Sequence, residues 1–316
     1  MSGKTALLFP GQGSQFTGMG ANLAGRFPLA REFFEEADDT LGFSLSRLCW
    51  EGPEHELLLT KNAQPAILVH SLAVWRLVSD SLGEVSLAAG HSLGEFTAYA
   101  AAGSLTFADA VRTVRLRGEL MFRVGEERPG TMTALIGLGQ GEAESICREA
   151  SGGGGVAVPA NFNAPGQVVI SGDPAALGRA GEAAREQGAR RVIPLNVSGA
   201  FHSPLMEPAR AGLSDWLDGV AFDPPAFPVV SNVTARPVSD PAQARSLLVE
   251  QLTAPVRWSD SMLAMSESGA GRFLEIGPGS VLSGLLRRID KGVSVKTLGT
   301  AHEVTAFLEQ GGASWS

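Results

Sequence analysis

An α/β fold built on a buried parallel sheet follows from three observations in the 316-residue sequence. The first strand, Thr5-Ala6-Leu7-Leu8-Phe9, is nearly all apolar and runs straight into a glycine-rich loop, Pro10-Gly11-Gln12-Gly13-Ser14-Gln15. Strands covered on both faces read this way. Strand-like and helix-like segments alternate along most of the chain, as they do when helices cover a parallel sheet. A second apolar strand, 85–89, ends in Gly90-His91-Ser92-Leu93-Gly94 and leads directly into a helix-like segment, 95–102.

Taken in order, the apolar spacing predicts helices over 27–41 (Phe33, Phe34 and Ala37 on one face), 66–82 (Leu68, Leu72, Trp75, Val78) and 109–124 (Val111, Val114, Met121, Phe122). Beyond Pro129-Gly130 the pattern changes. A strand at 132–138, a helix at 140–150, strands at 156–158 and 167–171, a helix at 174–187 and a strand at 190–196 give the order β-α-β-β-α-β. That is the order of a ferredoxin-like unit, and the glycine run 152–155 is a flexible turn inside it. The sequence therefore divides into one domain of residues 1–127 and 198–316 and a small domain, residues 128–197, inserted into it. The remainder resumes the first pattern, with a strand at 227–231, a helix at 241–251, a strand at 272–276 ending in Gly277-Pro278-Gly279, a helix at 281–289 and a strand at 294–298. Two glycine loops at strand ends place a cleft at the carboxyl edge of the main sheet.

Composition narrows the function classes. Hydrophobic residues make up 44% and charged residues 18%, enough for a substantial core and the reverse of a disordered chain. A net charge of −8 argues against nucleic acid or an anionic membrane as the partner. No apolar run approaches the roughly 20 residues that span a bilayer, and the expected location is the cytoplasm. Cys49 and Cys147 have no C-x-x-C neighbour, so neither a disulfide framework nor a metal site is expected. The glycine loop after the first strand lacks the Lys-Ser/Thr of a phosphate-binding loop and fits the dinucleotide fingerprint poorly.

The chemistry is carried by the G-x-S-x-G stretch. The flanking glycines let strand and helix backbones approach, and the sharp turn lifts the Ser92 hydroxyl out of the sheet as an acyl-transfer nucleophile. Such a serine needs a base. His91 adjoins it but should aim away. His55 sits among acidic residues, His70 falls on a core-type helix, and His302 lies near the C-terminus. His202, in Ser198-Gly199-Ala200-Phe201-His202-Ser203, occupies a loop of small residues just after the inserted unit and is the candidate base. Which group orients it is open. Asp223, Asp240, Asp260 and Glu275 all lie downstream of the histidine, outside the hydrolase order, and a backbone carbonyl could serve instead. Arg115 and Arg117 share one helix, and Gly118 beside Arg117 points to close packing there. An arginine so placed usually grips a carboxylate or phosphate.

With these motifs in order, the chain resembles the malonyl-CoA:acyl carrier protein transacylases and the acyltransferase domains of polyketide synthases. The resemblance rests on Phe9-Pro-Gly-Gln-Gly-Ser-Gln15, Ala63-Gln-Pro-Ala66, Gly90-His-Ser-Leu-Gly-Glu95, Arg117-Gly118, Asn163-Ala-Pro-Gly-Gln-Val-Val-Ile-Ser-Gly172, Phe201-His-Ser203, Gln251-Leu252, Pro255-Val-Arg-Trp258 and Glu275-Ile-Gly-Pro-Gly279. It implies a hydrolase-like parallel-sheet domain with an inserted ferredoxin-like domain. It implies that Ser92 carries the acyl group, that His202 is the base, and that the backbone N–H groups of Gln12 and Leu93 form the oxyanion hole. Arg117 would hold the free carboxylate of a malonyl group. Gln251 would help set that site and offer its carbonyl to His202. Gln64 would line the cleft, and Phe201 would disfavour a 2-methyl branch. The implied substrates are malonyl-CoA and an acyl carrier protein that brings its own phosphopantetheine. No resident cofactor, nucleic acid or membrane is expected, and the expected state is a monomer. A serine esterase shares the elbow but has no use for Arg117. A trans-acting polyketide acyltransferase would differ only in carrier and acyl choice.

Overall fold

The computed structural model describes residues 4–312. The outermost ends of the larger expected domain, 1–3 and 313–316, lie outside the described residues. Among the described residues the strands are β1 (Lys4–Phe9), β2 (Val85–Gly90), β3 (Thr131–Ile136), β4 (Ala157–Ala164), β5 (Gln167–Gly172), β6 (Arg191–Pro194), β7 (Val229–Val230), β8 (Pro237–Val238), β9 (Ala270–Ile276) and β10 (Ser294–Leu298). They form two sheets. The larger runs β10-β9-β1-β2-β7-β8, parallel except for the edge strand β8. The smaller runs β4-β5-β3-β6 and is wholly antiparallel. With its helices Gln140–Gly152 and Pro174–Glu186 it has the ferredoxin-like order that the sequence predicts.

The larger sheet positions the site through the carboxyl ends of adjacent strands. The glycine loop leaves β1, the Ser92 turn leaves β2, Ser231-Asn232 leaves β7, and Gly277 leaves β9. The backbone N–H of His91 donates to the Phe9 carbonyl at 3.0 Å, tying the first two loops together. A Cβ on Gly90 would run into the Gly94 backbone, and one on Gly94 would run into the Phe9 carbonyl. Both glycines are therefore required by close approach.

The two sheets are not independent lobes. Met132, Ala134, Ala160 and Val169 of the smaller sheet belong to the same buried cluster as Leu7, Phe9 and Leu93 of the larger unit. Val256 bonds β4 directly, donating to the Ala160 carbonyl at 2.8 Å and accepting from the Phe162 N–H at 2.9 Å.

Three of the expected elements differ in ways that trace to contacts distant in sequence or to proline. The helix expected from residue 66 begins at Thr60 and continues through Pro65 to Val78. Proline removes the N–H that would reach the Lys61 carbonyl, and Arg115 Nη1 supplies a donor to that carbonyl at 3.1 Å. Arg115 also bonds Asn62 Oδ1 at 2.7 Å and Glu119, so it is a staple between helices rather than a ligand for substrate. The strand expected at 156–158 runs on to Ala164, because β5 pairs one edge and Val256 the other. The strand expected over 227–231 shrinks to Val229–Val230. Pro228 has no N–H to give, and the Ser231 backbone turns to pair with Arg236.

Candidate active site

A cavity of about 360 Å³ opens between the two sheets. Gln12, Ser92, Leu93 and Arg117 line it from the larger unit, and Met132 and Asn161 from the smaller. Ser92 stands at its floor with φ 52° and ψ −106°, outside the regions an L-residue prefers. His202 also has a positive φ, 55°. Strain of this kind costs about 1–3 kcal/mol per residue and persists only where surrounding bonds hold it. Asn232 supplies them for Ser92. Its Oδ1 accepts from the Ser92 N–H at 2.7 Å, and its Nδ2 donates to the Gly90 carbonyl at 2.8 Å.

Ser92 Oγ lies 2.8 Å from His202 Nε2. The other ring nitrogen, Nδ1, lies 2.8 Å from the Gln251 carbonyl. A carbonyl only accepts, so Nδ1 carries the proton and Nε2 presents its lone pair to the hydroxyl. The orienting group left open by the sequence is thus a backbone carbonyl. The four downstream acids are occupied elsewhere or distant in role. Asp240 caps the helix Pro241–Glu250, Glu275 accepts from the Leu282 and Ser283 N–H groups, Asp260 pairs with Arg257, and Asp223 donates its backbone N–H to Ser104. Burial, and then the charge of Arg117, lower His202 to about 3, so its imidazole is neutral.

Arg117 is 1% exposed. Its Nη2 donates to Ser92 Oγ at 3.0 Å and to Gln251 Oε1 at 2.9 Å, and its Nη1 donates to Gln64 Oε1 at 2.8 Å. Its Nε has no partner among the described residues. Burial lowers Arg117 to about 10, opposed by the charge of Glu95, and the group stays cationic at neutral pH. Gly118 lets its helix close on the Thr60–Val78 helix, since a Cβ there would lie 2.7 Å from the Lys61 Cα. The side chains of Arg117, Gln64 and Gln251 therefore converge beside the nucleophile.

The other candidates sort as follows. Gln12 and Leu93 both flank Ser92 on the cavity wall, and the Gln12 side chain is tethered to Thr60 Oγ1 at 3.2 Å. Phe201 lines the cavity and is 5% exposed. His91 turns to Asn163 Oδ1 at 2.8 Å, and burial lowers its basicity. His70 is buried against the Gly299 carbonyl, and His55 is exposed.

An acyl transferase domain model matches residues 6–309. The chain belongs to the acyl transferase family. This acyl transferase is 44% identical over 305 residues to a malonyl CoA-acyl carrier protein transacylase of Bacillus subtilis, covering 96% of each chain. It is 42% identical to the protein of the same name from Escherichia coli K12, covering 96% of this chain and 98% of that one. Among solved structures it matches a malonyl-transacylase in complex with its type II polyketide acyl-carrier protein, with a TM-score of 0.94 and 43% identity over 97% of this chain and 99% of that one. The malonyl-CoA:acyl carrier protein transacylase of Xanthomonas oryzae gives a TM-score of 0.93 at 43% identity, covering 97% and 98%.

Two buried residues of this acyl transferase have no role in the sequence reading. Glu95 accepts from Gln251 Nε2 at 2.7 Å and from the Asn232 N–H at 3.1 Å. Asn232 holds the elbow as described. A carboxylate on a helix otherwise made of Leu, Gly, Phe, Thr, Ala and Tyr is a legible signal for Glu95, because such a helix is buried all round. Asn232 gives none beyond its place after a strand.

Proposed function

We propose that the chain moves a malonyl group from malonyl-CoA to the phosphopantetheine thiol of an acyl carrier protein, through a malonyl ester on Ser92. The observation that carries this reading is Arg117. A buried guanidinium lies 3.0 Å from the Ser92 hydroxyl, and its Nε is unpaired among the described residues. A donor buried without a partner costs about 1–3 kcal/mol, and an acyl group ending in a carboxylate relieves that cost.

In the first half-reaction His202 Nε2 takes the Ser92 proton as Oγ attacks the thioester carbonyl. The backbone N–H groups of Gln12 and Leu93 hold the oxyanion. The carbon–sulfur bond breaks, and His202 returns the proton to the departing thiolate. In the second, the carrier thiol gives its proton to His202 and attacks the malonyl ester. Ser92 leaves and recovers the proton. Gln64 and Gln251 hold Arg117, and Phe201 narrows the space beside the acyl α-carbon. The scheme needs no resident cofactor or metal and no second copy of the chain. Cys49 and Cys147 are buried free thiols, which agrees with a reducing cytoplasm.

Intact-mass measurement with malonyl-CoA tests the ester. Wild type should gain one malonyl mass and Ser92→Ala none. Arg117→Ala should lower the malonyl-to-acetyl ratio of kcat/KM at least about tenfold, since hydrogen bonds to a charged group contribute about 1.5–3 kcal/mol each. An unchanged ratio would remove the main support for a malonyl donor.

A further inference from the structure

Glu95 is fully buried on the helix that follows the Ser92 turn, yet no step of the reaction uses it. Its Oε2 takes two hydrogen bonds, from Gln251 Nε2 at 2.7 Å and from the Asn232 N–H at 3.1 Å. Gln251 in turn offers Oε1 to Arg117 Nη2 at 2.9 Å. The three side chains therefore form a line: carboxylate, amide, guanidinium.

The ends of that line have opposite and fixed hydrogen-bonding character. An ionised carboxylate only accepts, and a guanidinium only donates. The amide between them has one orientation that satisfies both, with its NH2 toward Glu95 and its oxygen toward Arg117. The same NH2 also donates to the Ser92 carbonyl at 3.0 Å. A residue at position 95 with no acceptor would let the amide turn over. Its NH2 would then face the guanidinium, and Arg117 would lose the acceptor that holds Nη2 beside Ser92.

We infer that Glu95 is a specificity-determining positioning residue: acting through the Gln251 amide, its carboxylate fixes Arg117 against Ser92 in the pose that receives an acyl group ending in a carboxylate. The inference rests on the malonyl reading above. Electrostatics supports the geometry. No carboxylate forms a direct ion pair with Arg117 among the described residues, and the charge of Glu95 is the one that sustains its cationic form. Burial raises Glu95 to about 7, and the bonds from Gln251 and Asn232, with the charge of Arg117, oppose that rise.

The experiment compares malonyl-CoA and acetyl-CoA as donors, reading kcat/KM for transfer and Ser92 acylation by intact mass. In Glu95→Leu, which stays close in size but removes the acceptor, the malonyl-to-acetyl ratio should fall at least about tenfold. Acetyl transfer should fall less than malonyl transfer, because acetyl has no carboxylate for Arg117 to hold, and any loss shared through the Arg117 contact to Ser92 Oγ cancels in the ratio. A ratio that stays unchanged, or two rates that fall together, overturns the inference and makes Glu95 structural. The double exchange Glu95→Gln with Gln251→Glu keeps the buried charge and volume, and so decides the case if the single variant does not fold. It puts the anion directly on Arg117 and should lose malonyl preference. Retained preference there shows that any nearby anion suffices, which also overturns the relay. Arg117→Ala separates the two levels. If its ratio is unchanged the malonyl reading fails, whereas a collapsed ratio in Arg117→Ala beside an intact one in Glu95→Leu removes only the role of Glu95.

Discussion

At His202, the burial that weakens the base also keeps it ready. A histidine of ordinary basicity is half protonated near pH 6.5 and loses its lone pair below that. His202 is lowered to about 3, so Nε2 stays free to accept the Ser92 proton well into the acid range. With an acetyl thioester lacking phosphates, which has no carboxylate for Arg117 to hold, the acylation rate should be flat between about pH 8 and about pH 5. A half-maximal fall near pH 6.5 would show an unperturbed imidazole. His202→Ala should slow acylation about 10²–10⁴-fold. The Ser92, His202 and Arg117 positions are legible in sequence because each stands in a local signature: a glycine-flanked turn, a run of small residues, a packed Arg-Gly pair. The links between them are less so. The Gln251 carbonyl is a backbone atom, and nothing in a side-chain alphabet marks it.

At the scale of elements, glycine placement separates two effects. Gly94 sits where strand and helix touch, so Gly94→Ala drives a methyl into the Phe9 carbonyl and should distort the elbow. Gly178 is an exposed position inside the helix Pro174–Glu186, with open space where a Cβ would go. Gly178→Ala should raise stability by about 0.5–1 kcal/mol through helix propensity alone. Thermal unfolding checks both, with Gly94→Ala losing Tm together with Ser92 acylation and Gly178→Ala gaining Tm at unchanged activity. The period of the helices and the β-α-β-β-α-β order are readable for the same reason, since they are set by local spacing. The start of the Thr60–Val78 helix is not. Pro65 reads as a boundary, and only the distant Arg115 makes the helix tolerable through it. The full length of β4 likewise depends on Val256, almost a hundred residues away in sequence.

For the whole molecule, the shared core makes the two sheets one cooperative body. Cys49 reports on the larger unit and Cys147 on the smaller, and both thiols are buried. Burial, with Asp38 nearby, pushes the Cys49 thiol up. Burial, with Glu144 nearby, pushes Cys147 to about 12. Neither should react with a thiol reagent in the native state. Across a denaturant series under pulse labelling, the two should become reactive at the same midpoint. Earlier labelling of Cys147 would show that the smaller sheet opens by itself.

The seam between β4 and Val256 has a practical reach. Because Val256 is sewn to the smaller sheet and Gln251 faces His202 a few residues earlier, the segment that follows the helix Pro241–Glu250 answers to both. An engineer who transplants the smaller lobe from a relative, cutting only at its two crossover points, would leave a foreign edge strand against a native seam. The misfit would arrive at the imidazole. A chimera built to change the acyl group should therefore carry its own 251–258 stretch along with the lobe, treating two distant pieces of sequence as one exchangeable part.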